Sequence, residues 1–172
     1  MIKITFILSI VMLFGACINS TKETRRNKIE KTYYVTGELK SIKEFQGNNN
    51  WHVTEYYKNG NIASMANYYN QKFIGKVRFY YLNGKINFEE NYDSSGISQG
   101  MFHLWYENGQ LKQVGLNEKG KIVGEWRNYY EDGKIERIEN YNLNEKSGTW
   151  LYFNHKGDTI KREEYKNDHL IK

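Results

Sequence analysis

From residue 32 to the end of the chain, apolar and polar positions follow a pattern that returns every 23 to 25 residues. It is easiest to see from six glycines, Gly37, Gly60, Gly84, Gly109, Gly133 and Gly157. Four residues before each stands an aromatic: Tyr33, Tyr56, Tyr80, Trp105, Tyr129 and Phe153. Three before stand Tyr34, Tyr57, Tyr81, Tyr106 and Tyr130, with Asn154 breaking the row. Two after come Leu39, Ile62, Ile86, Leu111 and Ile135, with Thr159 in the last copy. Eight after come Phe45, Tyr68, Tyr92, Tyr141 and Tyr165, with Asn117 as the exception. A period of this size marks one supersecondary unit copied in tandem.

Within a unit the elements are extended. Aromatic and β-branched residues flank each glycine, which favours strands. The dipeptides Asn59-Gly60, Asn83-Gly84, Asn108-Gly109 and Asp132-Gly133 suit a two-residue type I′ turn, so each copy reads as a β-hairpin. No stretch after the N-terminal segment keeps apolar residues at a 3.6 period for three turns. The later copies open on Gly75, Gly100, Gly124 and Gly148, with Val77, Phe102, Trp126 or Trp150 two residues on. A single hairpin is marginal in water, so the copies must stack edge to edge. The expected fold is all-β: an elongated, single-layer antiparallel array of about six stacked hairpins, roughly 55 to 60 Å long at about 4.8 Å per strand. Adjacent strand residues face opposite ways, so both faces should carry aromatic rows. The three aromatic rows hold 16 of the 27 Phe, Trp and Tyr residues, which makes most of the aromatic content scaffold. The first and last copies depart from the pattern, and the polar tail Lys166–Lys172 reads as a cap that discourages further pairing.

The N-terminal segment changes the picture. Lys3 precedes an apolar run from Ile4 to Phe14 and then Gly15-Ala16-Cys17, the outline of a secretory signal peptide. The run is too short to span a bilayer, which needs about 20 helical residues. Cys17 is the single cysteine, so no internal disulfide framework exists, and its position resembles the lipobox of bacterial lipoproteins. Residues 1–16 are read as a cleaved signal, Cys17 as the lipidation site, residues 17–31 as a flexible charged tether, and residues 32–172 as the repeat domain. The expected location is the bacterial cell envelope, with membrane attachment through Cys17. Removing residues 1–16 leaves 24 basic against 20 acidic side chains. These alternate along the chain, unlike the clustered bases of a nucleic-acid-binding surface.

The string Gly124-Glu125-Trp126-Arg127-Asn128-Tyr129-Tyr130-Glu131-Asp132-Gly133-Lys134-Ile135, with Tyr141 and then Gly148-Thr149-Trp150, resembles the variant class of MORN repeats. The resemblance covers about residues 32–165. It implies a curved array of hairpins, a scaffolding or binding role, and, from the label many bacterial members carry, an antitoxin or immunity function. It brings no catalytic residues.

The search for chemistry finds little. His52, His103, His155 and His169 show no metal-ligand spacing. The glycines follow the repeat rather than a phosphate loop. Glu89-Glu90 and Glu163-Glu164 lie on returning strands, where neighbours face opposite ways, and read as parts of a solvated face. No catalytic residue, metal site or cofactor is expected. The candidates for binding are residues that fail to repeat, Trp51, Tyr69 and Phe73, together with the connectors Tyr69–Ile74, Asp93–Gln99 and Asn117–Val123 and the concave face; Phe88 reads as core. The leading expectation is a non-enzymatic envelope lipoprotein that binds another protein along its extended surface. The alternatives are an immunity protein that neutralises a toxin, and a carbohydrate or peptidoglycan binding module that would require Trp51, Tyr69 or a row of tyrosines to be exposed.

Overall fold

The computed structural model describes residues 28–172. The expectations for residues 1–27, including the signal peptide and Cys17, lie outside the described residues. The strands are β1 (Ile29–Tyr33), β2 (Leu39–Gly47), β3 (Asn50–Tyr56), β4 (Ile62–Tyr69), β5 (Lys72–Tyr80), β6 (Ile86–Tyr92) and β7 (Gly100–Trp105). They continue with β8 (Leu111–Glu118), β9 (Lys121–Tyr129), β10 (Ile135–Asn142), β11 (Glu145–Lys146), β12 (Gly148–Phe153), β13 (Thr159–Lys166) and β14 (His169–Leu170). All belong to one antiparallel sheet in sequence order, with β11 alone off the path beside β10. The all-β hairpin array is therefore the fold. The sheet starts three residues before the expected boundary at residue 32, because Ile29, Glu30 and Lys31 pair with Glu44, Lys43 and Ile42.

The turns differ from the expectation. At Gly60 the Gly60 N–H donates to the Tyr57 carbonyl and the Tyr57 N–H to the Asn61 carbonyl, closing a three-residue loop, Lys58-Asn59-Gly60. Gly60 has φ +85° while Asn59 is not in the left-handed region. That is a type I turn followed by a glycine bulge, and the register slips accordingly: Glu55 pairs with Ser64, but Tyr56 with Ile62. The other five turn glycines repeat the same pair of backbone hydrogen bonds.

Type I′ turns occur instead at the opposite ends of the strands. Asn48-Asn49, Asn70-Gln71, Lys119-Gly120, Leu143-Asn144 and Asn167-Asp168 have positive φ at both central positions. The connectors at Tyr69–Ile74 and Asn117–Val123 are thus tight hairpin turns. The connector after β6 is the exception, since Gly96 closes a three-residue loop on Asp93.

Asparagine precedes the turn glycine because it ties neighbouring copies together. Asn83 Oδ1 accepts the Lys85 N–H at 3.0 Å within its own loop, while Asn83 Nδ2 donates to the Glu107 carbonyl of the next at 3.1 Å. Asn59 and Asn108 do the same to Leu82 and Glu131. A tyrosine ladder runs beside this one. The hydroxyls of Tyr34, Tyr57, Tyr81, Tyr106 and Tyr130 donate to the carbonyls of Tyr56, Tyr80, Trp105, Tyr129 and Phe153 at 2.6–2.8 Å.

The two faces are unequal. Cross-strand pairing places Val53, Ala66, Val77, Glu90, Phe102, Gly115, Trp126, Glu139, Trp150 and Glu163 in one row across what is here termed the packed face. Apart from Thr54, every buried residue described lies on that face. Rings join along it, Phe79 to Phe88 to Phe102 to Trp126 at centroid separations of 5.2–5.6 Å, so Phe88, expected in the core, is engaged in ring packing while only half-buried. A second chain, Tyr141 to Trp150 to Tyr165, follows at 5.2–5.3 Å. The opposite, open face carries the aromatics that stand four residues before each turn glycine, all except Tyr33 half-buried.

The C-terminal end closes on a truncated copy. β14 pairs Tyr165 with Leu170 and Lys166 with His169, as β11 pairs with Tyr141 and Asn142. The tail expected as a plain polar cap is thus a two-residue edge strand, too short to template another chain.

Candidate functional site

The glutamates expected on a solvated face are divided by the sheet. Glu89 is on the open face, where its carboxylate meets Lys76 Nζ and Arg78 Nε, each at 2.8 Å. Glu90 is on the packed face and only 8 % exposed. Burying a carboxylate requires donors, and Glu90 has three: the hydroxyls of Tyr92 and Ser98, and Asn117 Nδ2 at 2.8 Å. This accounts for Asn117 interrupting its aromatic row. Glu139 and Glu163 occupy the equivalent position in later copies, with Asn128 and Arg137 on the first and Tyr152 and Lys161 on the second. Burial first, and then the adjacent carboxylates, push the Tyr92 and Tyr152 hydroxyls well above the ordinary tyrosine range. Tyr141, beside Glu139, is raised to about 12 by the same causes. Saturated by their own neighbours, these acids form structural cross-links rather than a convergent acid pair. Among the described residues no group of three or more His, Cys, Asp or Glu is placed to hold a metal ion.

The candidates Trp51, Tyr69 and Phe73 fall in three different environments. Phe73 packs between Tyr68 and Tyr92 at 4.9 and 5.3 Å, so its ring is engaged in the scaffold. Tyr69 is exposed at the end of β4 and pairs with Asn50 and Lys72 through its backbone. Trp51 sits on β3 beside Phe45, at 5.0 Å, with the Lys28 ammonium 5.9 Å above its ring.

Trp51 also lines a groove of about 500 Å³ on the packed face, together with Tyr68, its direct cross-strand partner, and Val53. The groove has room because the position that later holds Phe102, Trp126 and Trp150 is filled here by the smaller Val53 at its floor. Asn49, Asn70 and Gln71, from the two adjacent type I′ turns, stand at one rim. Asn49 Nδ2 donates to Asn70 Oδ1 at 3.0 Å, linking those turns. Glu30 and Lys43, paired across β1 and β2, stand at the other. The Lys28 ammonium, 2.7 Å from Glu30, holds that carboxyl below the usual range.

On the open face a shallower depression of about 270 Å³ is lined by Met101, Val114 and Leu116, with Glu125 and Arg127 in an ion pair at 2.7 Å along one side. Sequence reasoning did not single out these residues. Their signal is a conjunction of apolar side chains on facing strands, Met101 opposite Leu116, which becomes apparent only after register is known.

Three stretches of the chain, residues 52–70, 74–94 and 122–143, match the MORN repeat variant. Each MORN match is one hairpin, formed by β3 and β4, β5 and β6, or β9 and β10. The unmatched pair β7 and β8 keeps the same bulged register at its turn and the same tyrosine bond to the next copy, so the hairpin repeat continues between the matched copies. No curated protein matches the chain. Among the described residues no helix is long and apolar enough to cross a membrane.

Proposed function

We infer that this chain is a non-enzymatic MORN-type scaffold, held at a bacterial envelope through Cys17, that binds another protein along its open face. One observation carries the reading. The open face has almost no buried residue, yet at its centre it presents Met101, Val114 and Leu116 bordered by the Glu125–Arg127 pair. An apolar centre with a charged rim is the anatomy of a protein interface, and MORN repeats are commonly binding modules.

A photo-crosslinker placed at Met101 tests the reading in cells of the source organism. One dominant protein adduct, lost with Leu116→Glu while the melting temperature stays the same, supports it. Absence of any protein adduct, or an adduct indifferent to Leu116→Glu, overturns it. A toxin as the captured protein would turn the scaffold reading into the immunity one. Mass spectrometry of the mature N-terminus tests the anchor separately, and an unmodified Cys17 or an intact Met1 rejects it.

A further inference from the structure

The groove lined by Trp51 and Tyr68 is not used by a protein-binding open face, since it lies on the other side of the sheet. We propose that it is a saccharide-binding site that takes an uncharged sugar, with a pyranose ring laid against Trp51.

Four features of the groove fit that chemistry. At about 500 Å³ it falls within the roughly 300–1,000 Å³ of small-molecule sites, which combine apolar walls with a few placed polar groups. Its walls are an indole and a phenol. An aromatic face carries partial negative charge and attracts the slightly positive C–H edge of another group, and the apolar face of a pyranose presents such C–H bonds. Its rim offers three carboxamides, Asn49, Asn70 and Gln71. A carboxamide holds a donor and an acceptor side by side, the arrangement that neighbouring sugar hydroxyls satisfy. Among the described residues no hydrogen bond takes up the Gln71 amide, and the Asn49–Asn70 bond leaves Asn49 Oδ1 and Asn70 Nδ2 to spare.

The fourth feature is charge. Glu30 is ion-paired at 2.7 Å with Lys28, whose ammonium stands 5.9 Å above the Trp51 ring and would move aside for a sugar, and Lys43 is the one cation in the groove lining itself. Recognition of a phosphate or an anionic lipid headgroup calls for clustered cations, which this lining lacks. The groove also departs from the repeat in a consistent direction. Where later copies place Phe102, Trp126 or Trp150, seven residues before the turn glycine, this copy has the smaller Val53. Where later copies begin with a glycine, this one has Trp51. Space and an aromatic wall therefore arise together, from substitutions that stacking alone does not require.

The test is titration of the full chain with triacetylchitotriose and with maltotriose, followed by tryptophan fluorescence and calorimetry. Saturable binding of at least one, with a dissociation constant of about 1 mM or below, is expected. Trp51→Ala should weaken it by about tenfold or more, a change of about 1.4 kcal/mol. Because Trp51 also packs on Phe45, Gln71→Gly provides a second variant: glycine accepts the φ of +67° at that position, removes the amide, and should weaken binding about threefold or more without lowering the melting temperature. No saturable binding of either sugar at about 10 mM, tenfold above that dissociation constant, overturns the proposal. So does binding that survives both substitutions.

Discussion

The Tyr81 hydroxyl donates to the Trp105 carbonyl at 2.6 Å, across the boundary between two hairpins and 24 residues along the chain. Four other tyrosines make the same contact from copy to copy. Each bond is local to one boundary, so the array behaves as nearest neighbours coupled in a line. Tyr81→Phe keeps the ring and removes only the donor. It should lower stability by about 1 kcal/mol, the net worth of one such bond. Tyr130→Phe, two copies away, should cost a similar amount, and the double variant should be additive within about 0.5 kcal/mol. Urea denaturation measures all three, and an unchanged Tyr81→Phe would remove the ladder from the list of stabilising contacts.

Gly115 and Trp126 form a second cross-copy contact of opposite character. The indole covers the glycine so closely that a Cβ there would lie 2.0 Å from the ring, and the indole N–H reaches the Leu116 carbonyl at 3.3 Å. Gly115 is not among the positive-φ glycines, so replacing it adds volume without backbone strain. Gly115→Ala should destabilise by about 1–3 kcal/mol, the usual range for overpacking. In a Trp126→Leu background the same substitution should cost at least about 1 kcal/mol less, a coupling typical of residues in contact. Equal costs in both backgrounds, read from thermal or urea melts, would mean that the indole does not set the requirement for glycine.

Glu89 supplies a pH dependence. Burial alone would raise its carboxyl, but the hydrogen-bonded Lys76 and Arg78 outweigh that effect and hold it below the ordinary value. A carboxyl with a folded pKa below its unfolded value of about 4.3 stabilises the protein above that value, and the contribution disappears as pH falls through the folded pKa. Glu89→Gln should therefore cost about 1 kcal/mol at pH 7, a modest figure because Lys76 and Arg78 are substantially exposed. The gap from the parent should close as the pH is lowered from about 5 through the folded pKa. A gap that stays constant across that range, in denaturation at several pH values, would show that the carboxylate's charge is not what stabilises.

Much of the fold could be read from the order of residues. The interval between turn glycines gave the copy number and hairpin architecture, since a repeated unit must satisfy the same local geometry each time. The turn chemistry was misread for an identifiable reason. Asn-Gly satisfies a type I′ turn, but it equally satisfies a type I turn with a glycine bulge, in which the Asn83 amide reaches Glu107 in the next hairpin. That second partner is 24 residues away, and no local pattern shows it. The glutamates failed similarly. Glu89 and Glu90 are neighbours in sequence, and only their pairing partners decide that one meets lysine and arginine while the other is buried under Tyr92, Ser98 and Asn117.

The candidate site was legible in part. Trp51 stood out as a residue that does not repeat, and it borders the groove. Phe73 stood out for the same reason and is packing between Tyr68 and Tyr92. Failure to repeat identifies an irregularity, but a ring in a gap and a ring beside a gap look alike in one dimension.

Sequence by itself determined the repeat, its period, the strands and the aromatic rows, because these depend on spacing and on alternation along the chain. Tertiary structure decided which face buries its side chains, which turn takes which form, and where space remains beside Trp51. Those outcomes depend on register between strands, where a shift of one residue exchanges the two faces of a sheet.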